Sequence, residues 1–383
     1  MLRVALAAQV GVSVIDQGIP TLTGFVKADL KLSAGLAGLA VSSFAFGKIF
    51  GSYAAGVAAD RIGERRVLLA GGLATAVLVT VAAAVPLPAF FPLLVLAGTA
   101  GAASTPAGGR LVLLAFPRRR HGLALGIRQT GIPIGGLVAA AALPWVARYA
   151  GWHWSLVVAA CIAVACLVPL ARLPAATEAR VPEPPRPPGP RPARDRNIGL
   201  LTLWGCLLVS GQYAILAFLA LDLHTSAGLG LATASLLVVV ANASGIVGRI
   251  GWGALSDRVL SRGRKPLLLA LTGVGLVGAL LLLATPRSAP LAVLAALAAV
   301  AGLALIGFQG LWVTMIAEAA GPARVGAATG FALTFVTCSI ALSPPFYGLV
   351  ADVTGSYRGI WAALACILAL AFVPAALVRE PEP

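Results

Sequence analysis

Residues 56–66 read Gly56-Val57-Ala58-Ala59-Asp60-Arg61-Ile62-Gly63-Glu64-Arg65-Arg66, and they stand where one long apolar run stops and the next begins. The small residues suit close helix packing, Asp60 and Arg61 mark a water boundary, Gly63 turns the chain, and Arg65 and Arg66 fix the side of a membrane on which the turn lies. The device recurs from Gly253. Gly253, Asp257 and Arg258 repeat the spacing of Gly56, Asp60 and Arg61, and Arg264 and Lys265 close a slightly longer turn. Two copies in matching places predict two equivalent halves.

Composition sets the solvent. Of 383 residues, 59% are hydrophobic and only 11% charged, which excludes a soluble domain and predicts a polytopic protein whose main partner is the lipid bilayer. The net charge of +15 sits in short loops between apolar runs, the pattern of membrane topology and not of nucleic-acid binding. Cys161, Cys166, Cys206, Cys338 and Cys366 all lie inside apolar runs without metal-ligand spacing, so they read as packing residues; no metal or cofactor is expected. The sequence contains no Walker-type loop, no G-x-S-x-G and no H-E-x-x-H, so no enzyme is predicted and any uphill transport draws on an existing gradient.

The apolar runs fall at about 4–26, 32–59, 67–85, 90–116, 122–146 and 154–170, then at 198–221, 229–255, 266–284, 290–317, 325–350 and 360–378, lengths that suit a hydrocarbon core of about 30 Å. Asp16 within the first run argues for a span and against a cleaved signal. The predicted fold class is therefore an all-α membrane protein of about twelve transmembrane helices in two pseudo-symmetric six-helix bundles, residues 1–172 and 198–383. Residues 173–197, rich in proline and arginine, cannot bury a core and read as a linker between them. A shift of 204 lays Gly122, Ala124, Gly126 and Gly151 on Gly326, Ala328, Gly330 and Gly355. The arginines of the 61–66 turn, of residues 118–120, of the linker and of the 258–265 turn share one side, which places linker and both termini in the cytoplasm and the chain in the inner membrane.

The pattern G-x-x-x-D-R-x-G-x-R-R between the second and third helices resembles the loop motif of the major facilitator superfamily of secondary transporters, and the resemblance covers the whole chain. It implies that Asp60 meets the start of a helix from the opposite half. Arg61, Arg65 and Arg66 would form a charge relay, together holding the cytoplasmic side shut. The plainer alternative is a positive-inside loop whose Asp caps a helix.

A few ionisable residues lie deep. Arg249 stands eight residues before Asp257 and Lys48 twelve before Asp60, depths of about 12 and 18 Å at 1.5 Å per residue; Arg128 and Asp16 lie at about 11 and 16 Å from their own boundaries. Charges so placed face a water-filled path or each other. Gln9, Ser13, Asp16, Pro20 and Thr23 share one face of the first helix, and Asn242, Gly245, Arg249, Gly253 and Ser256 one face of the eighth. Asp16 is either a proton-carrying coupling group or a static partner of Lys48. Arg110, near the basic residues 118–120, is expected to snorkel to them.

In carboxylate-transporting members of the superfamily a functional Arg in the eighth helix stands four residues before a Gly, and Arg249-Ile250-Gly251-Trp252-Gly253 is similar. The acidic residue that some members carry one turn earlier is Gly245 here. The run from Gly126 to Gly136 resembles the glycine-proline motif of drug exporters, with the proline one place late and Arg128 intruding. Because Lys48, Arg128 and Arg249 outnumber Asp16, the reading is a monomeric symporter or antiporter for a small anion, an organic carboxylate or oxyanion, with Asn242 and Gln309 as further substrate contacts and protons as a possible coupling ion. The alternative is efflux of amphipathic drugs.

Overall fold

In hydrocarbon a chain can satisfy its backbone polar groups within one segment only as a helix. The computed structural model describes residues 1–29, 31, 34–173, 194–258, 263–286 and 289–379. Its helices are α1 (Leu2–Asp29), α2 (Ala34–Ile62), α3 (Glu64–Ala82), α4 (Leu87–Gly101), α5 (Ser104–Ala115), α6 (His121–Gln129), α7 (Gly131–Ala150), α8 (Trp152–Ala171), α9 (Arg196–Ser226), α10 (Leu231–Arg258), α11 (Lys265–Ala284), α12 (Leu291–Leu305), α13 (Gln309–Ala320), α14 (Val325–Thr354) and α15 (Arg358–Leu377). Among the described residues eleven helical segments are long and apolar enough to cross a membrane. The 29-residue α2 stands beside them in the order the sequence predicts. Linker residues 174–193 lie outside the described residues.

Three expected spans are interrupted. The fourth is α4 followed by α5, the fifth α6 followed by α7, and the tenth α12 followed by α13. The breaks at Ala102–Ala103 and at Ile306–Phe308 are related by the same shift of 204 that aligns the glycines. The second span also runs further than expected: α2 continues through Asp60 and Arg61 to Ile62, and Gly63, at φ 96°, makes the turn into α3. An L side chain at that φ would be strained.

The chain divides into two units. One comprises Met1–Pro117, Arg128–Asp195 and Ala320–Thr334; the other comprises Arg118–Ile127, Arg196–Ala319 and Phe335–Pro383. In the first unit α2 lies directly on α4: a Cβ on Gly98 would strike the Phe44 carbonyl, one on Gly51 the Thr99 carbonyl, and Thr99 Oγ1 donates to the Gly47 carbonyl at 3.2 Å. The second unit repeats this seam between α10 and α12, where a Cβ on Gly302 would strike the Ala241 carbonyl and one on Gly248 the Leu303 carbonyl. Where lipid supplies no hydrophobic drive between helices, such backbone-to-backbone contact is what holds them. The first unit's core gathers Ile15, Ile19 and Leu22 of α1 with Leu143 of α7 and Leu156 and Ala159 of α8. Phe50, Val77, Leu137 and Trp145 point outward, as lipid-facing side chains do.

Candidate functional site

Asp60, one turn from the end of α2, accepts two consecutive backbone amides at the start of α14: Gly326 N at 3.0 Å and Ala327 N at 2.7 Å. Asp257, at the end of α10, does the same at the start of α6, taking Gly122 N and Leu123 N at 2.8 Å each. The shift of 204 lays residues 122 and 123 on 326 and 327, so these are two copies of one clasp. A carboxylate on helix-start amides meets both the orphan donors and the positive end of the helix dipole. Glycine makes the approach possible. A Cβ on Gly56 would strike the Gly326 carbonyl, and one on Gly253 the Gly122 carbonyl. Further along each seam, Gly330 packs on the Ser52 carbonyl and Gly126 on the Arg249 carbonyl.

The charges behind the clasps differ. In the first unit Arg110 of α5 pairs with Asp60 at 3.1 Å and with Glu64, which is 5% exposed. In the second unit Arg264 reaches Asp257 at 3.3 Å and Glu318 of α13 at 3.0 Å, with Arg118 and His121 at 3.7 and 3.9 Å from the same Glu318 oxygen. Each buried carboxylate thus has a cation within reach, the condition for keeping a charge out of water at tolerable cost.

Deeper in the helices, α1 carries one polar face. Its Asp16 is 2.8 Å from Lys48 Nζ of α2. Two turns away Gln9 bonds Ser13 at 3.2 Å and receives Arg128 Nη2 at 2.6 Å. Arg128 also donates to the Ser104 carbonyl beside the α4–α5 break. The second unit has a counterpart in a different place: Arg249, 2% exposed, donates from Nε to the Ile306 carbonyl at 3.2 Å, where α12 stops. Just past that break Gln309 donates to Gln212 of α9 at 3.1 Å. Each unit therefore sets a buried arginine on a main-chain carbonyl beside the break of a split helix.

The Major Facilitator Superfamily model matches residues 6–291 and 260–383. The chain belongs to that superfamily. Two relatives, both uncharacterised MFS-type transporters of Mycobacterium tuberculosis, are 32% and 31% identical over 356 residues, 91% of this chain and 77% of each relative. Among solved structures the Escherichia coli fucose:proton symporter superposes with a TM-score of 0.70 at 16% identity, covering 98% of both chains. A proton:xylose symporter does so at 0.72 and 16%, covering 99% of this chain and 96% of the other. At such identity these two carry the fold alone. As a member of the major facilitator superfamily the chain is a multi-pass secondary transporter of small molecules and not an enzyme.

Within this superfamily member the predicted residues take distinct places. Asp60, Asp257, Gly56, Gly253 and Arg264 form the clasps, and Gly63 makes the turn. Arg65 donates to the Leu170 and Ala171 carbonyls at 3.2 and 2.8 Å, closing the end of α8. Arg61, Arg66 and Arg258 are exposed, and Lys265 begins α11. Arg249 and Gln309 flank one helix break, whereas Asn242 bonds the Val238 carbonyl of its own helix at 3.0 Å. Arg110 does not snorkel to residues 118–120: its partners are Asp60 and Glu64, because those carboxylates come within reach across the α2–α3 turn. Glu64, Glu318 and Gln212 were not singled out from sequence. For Glu318 the available signal was a lone acid near the end of an apolar run.

Proposed function

We propose that the protein moves a small anionic solute, an organic carboxylate or oxyanion, by alternating access, with Arg249 taking the anionic group. The observation that carries this reading is the Asp16–Lys48 pair at 2.8 Å. Asp16 is the acid that sequence depth places well inside a span, and it is engaged by Lys48, so it does not offset the charge of Arg249. Positive charge held in a low-dielectric surround favours an anion over a lipophilic cation. Arg249 adds a planar fork that suits a carboxylate. Gln309, on the far side of the break that Arg249 touches, and Asn242, on the arginine's own helical face, would supply neutral hydrogen bonds. Residues 1–172 and 198–383 would act as the two moving halves. The arginine-rich ends would face the cytoplasm, and Asp16 is the place for a coupling proton.

A thermal-shift screen of the purified protein tests the substrate class. Carboxylates or oxyanions should raise the melting temperature saturably. Stabilisation by lipophilic cations, with none by anions, would hand the case to drug efflux.

A further inference from the structure

We propose that Arg128 holds a small inorganic monoanion of halide size as a resident counter-ion inside the first unit, separate from any transported solute. The guanidinium is 0% exposed. Its Nη2 donates to two neutral oxygens, Gln9 Oε1 and the Ser104 carbonyl, while Nε and Nη1 are buried without a hydrogen-bond acceptor. The acids of α1 to α3 are engaged elsewhere: Asp16 with Lys48, Asp29 with the Trp152 indole at 2.9 Å, and Asp60 and Glu64 with Arg110. Among the described residues no ion pair reaches Arg128.

Arginine does not escape this position by losing its proton. A buried charge without a counter-charge costs several kcal/mol even after the surroundings relax. Water could fill the hydrogen bonds and would leave the charge; an anion supplies both. The ligand must be small. Gly108 lies against the guanidinium so closely that a Cβ there would come within 2.7 Å of Nε, and a Cβ on Gly131 would come within 2.8 Å of Gln9 Cγ. The inference rests on the surroundings of Arg128 itself, in a different unit from Arg249, and does not depend on which solute the protein carries.

The test uses the full-length protein, purified throughout in sodium gluconate and then titrated with sodium chloride or bromide at constant ionic strength. A saturable rise in melting temperature is expected for wild type and for Arg249→Gln, and its loss for Arg128→Gln, whose amide keeps a polar group near Gln9 while removing the charge. Should Arg128→Gln fail to fold, Gly108→Ala serves instead: its added methyl crowds the guanidinium and should move the halide response to higher concentration. Crystals grown in bromide should show an anomalous peak beside Arg128. No saturable halide response in wild type overturns the proposal. So does an undiminished response in Arg128→Gln or Gly108→Ala, or a loss confined to Arg249→Gln.

Discussion

Gly56 of α2 and Gly326 of α14 press backbone against backbone: a Cβ on Gly56 would strike the Gly326 carbonyl, and one on Gly326 the Gly56 carbonyl and the Asp60 carboxylate. Gly253 and Gly122 stand in the same relation in the second unit. Gly326→Ala and Gly122→Ala should therefore act alike. Each overpacks its seam by about 1–3 kcal/mol and lengthens the Asp60 or Asp257 bonds to the helix start. Since only the clasped state contains these contacts, the added methyl should shift the conformational equilibrium away from it. Labelling of a cysteine placed at Ala59 or Ser256 in a cysteine-free background would report the opening. Unchanged labelling in both variants would show that the seams tolerate a methyl.

Asp60→Asn keeps the shape and removes the charge. The population of the clasped state should fall by on the order of 1–2 kcal/mol, changing transport rate with little effect on solute affinity. Arg110→Ala should be harsher, since it strands Asp60 and Glu64 together; breaking a buried pair from one side costs about 3–5 kcal/mol. A lower melting temperature for Arg110→Ala than for Asp60→Asn is the expected order. The reverse order would make Arg110 dispensable to the clasp.

The clasps were legible in sequence because a charged boundary interrupts an apolar background and does so twice with the same spacing. Asp60 and Asp257 announce themselves as boundary residues; a shift of 197 lays Gly56 and Asp60 on Gly253 and Asp257, and a shift of 204 lays Gly122 on Gly326. What they touch was visible only through the family likeness, since partners 266 and 135 residues apart leave no local trace. Arg110 was misread for the same reason: its nearest basic neighbours lie within ten residues in sequence, whereas Glu64 is 46 away. The helix breaks at Ala102–Ala103 and Ile306–Phe308 escaped as well. Pro106, which has no N–H to give the Ala102 carbonyl one turn back, was the available signal for the first, whereas the second has no proline and offers only the polar Gln309 just past it. The pairing of Asp16 with Lys48 was foreseen as one of two readings, because depth counting puts both near the same level.

That pair makes its own prediction. Lys48→Ala should leave Asp16 without its cation in a partly buried setting, and Asp16→Asn should leave Lys48 in the same state. The double variant should be less damaged than the two single effects added together, with a coupling of about 0.5–3 kcal/mol in melting stability. If Asp16 also carries a coupling proton, Asp16→Asn will retain solute exchange across the membrane and lose accumulation driven by a pH gradient. Full accumulation in Asp16→Asn would restrict the pair to a structural role.

Arg249 carries the most specific expectation. Its Nε holds the Ile306 carbonyl at the end of α12, and Gln309 begins α13 three residues later, so the guanidinium closes a helix break on whose far side the next helix opens with a neutral amide. Arg249→Lys keeps the charge and gives up the fork; it should weaken anion binding while leaving the protein folded. Arg249→Ala also leaves the Ile306 carbonyl short of its donor, and should weaken binding further, by roughly 2–4 kcal/mol for a desolvated charged contact, with a loss of melting stability of about 1–3 kcal/mol. Gln309→Ala should reduce affinity less than either, because it removes a neutral hydrogen bond. Lys48→Ala should fall below Arg249→Ala, since Lys48 is engaged with Asp16. Binding of the same carboxylate, measured in detergent for wild type and all four variants, gives the ranking directly. Wild-type affinity in Arg249→Ala, accompanied by the expected drop in melting temperature, would reduce Arg249 to a strut for the break and place the anion elsewhere.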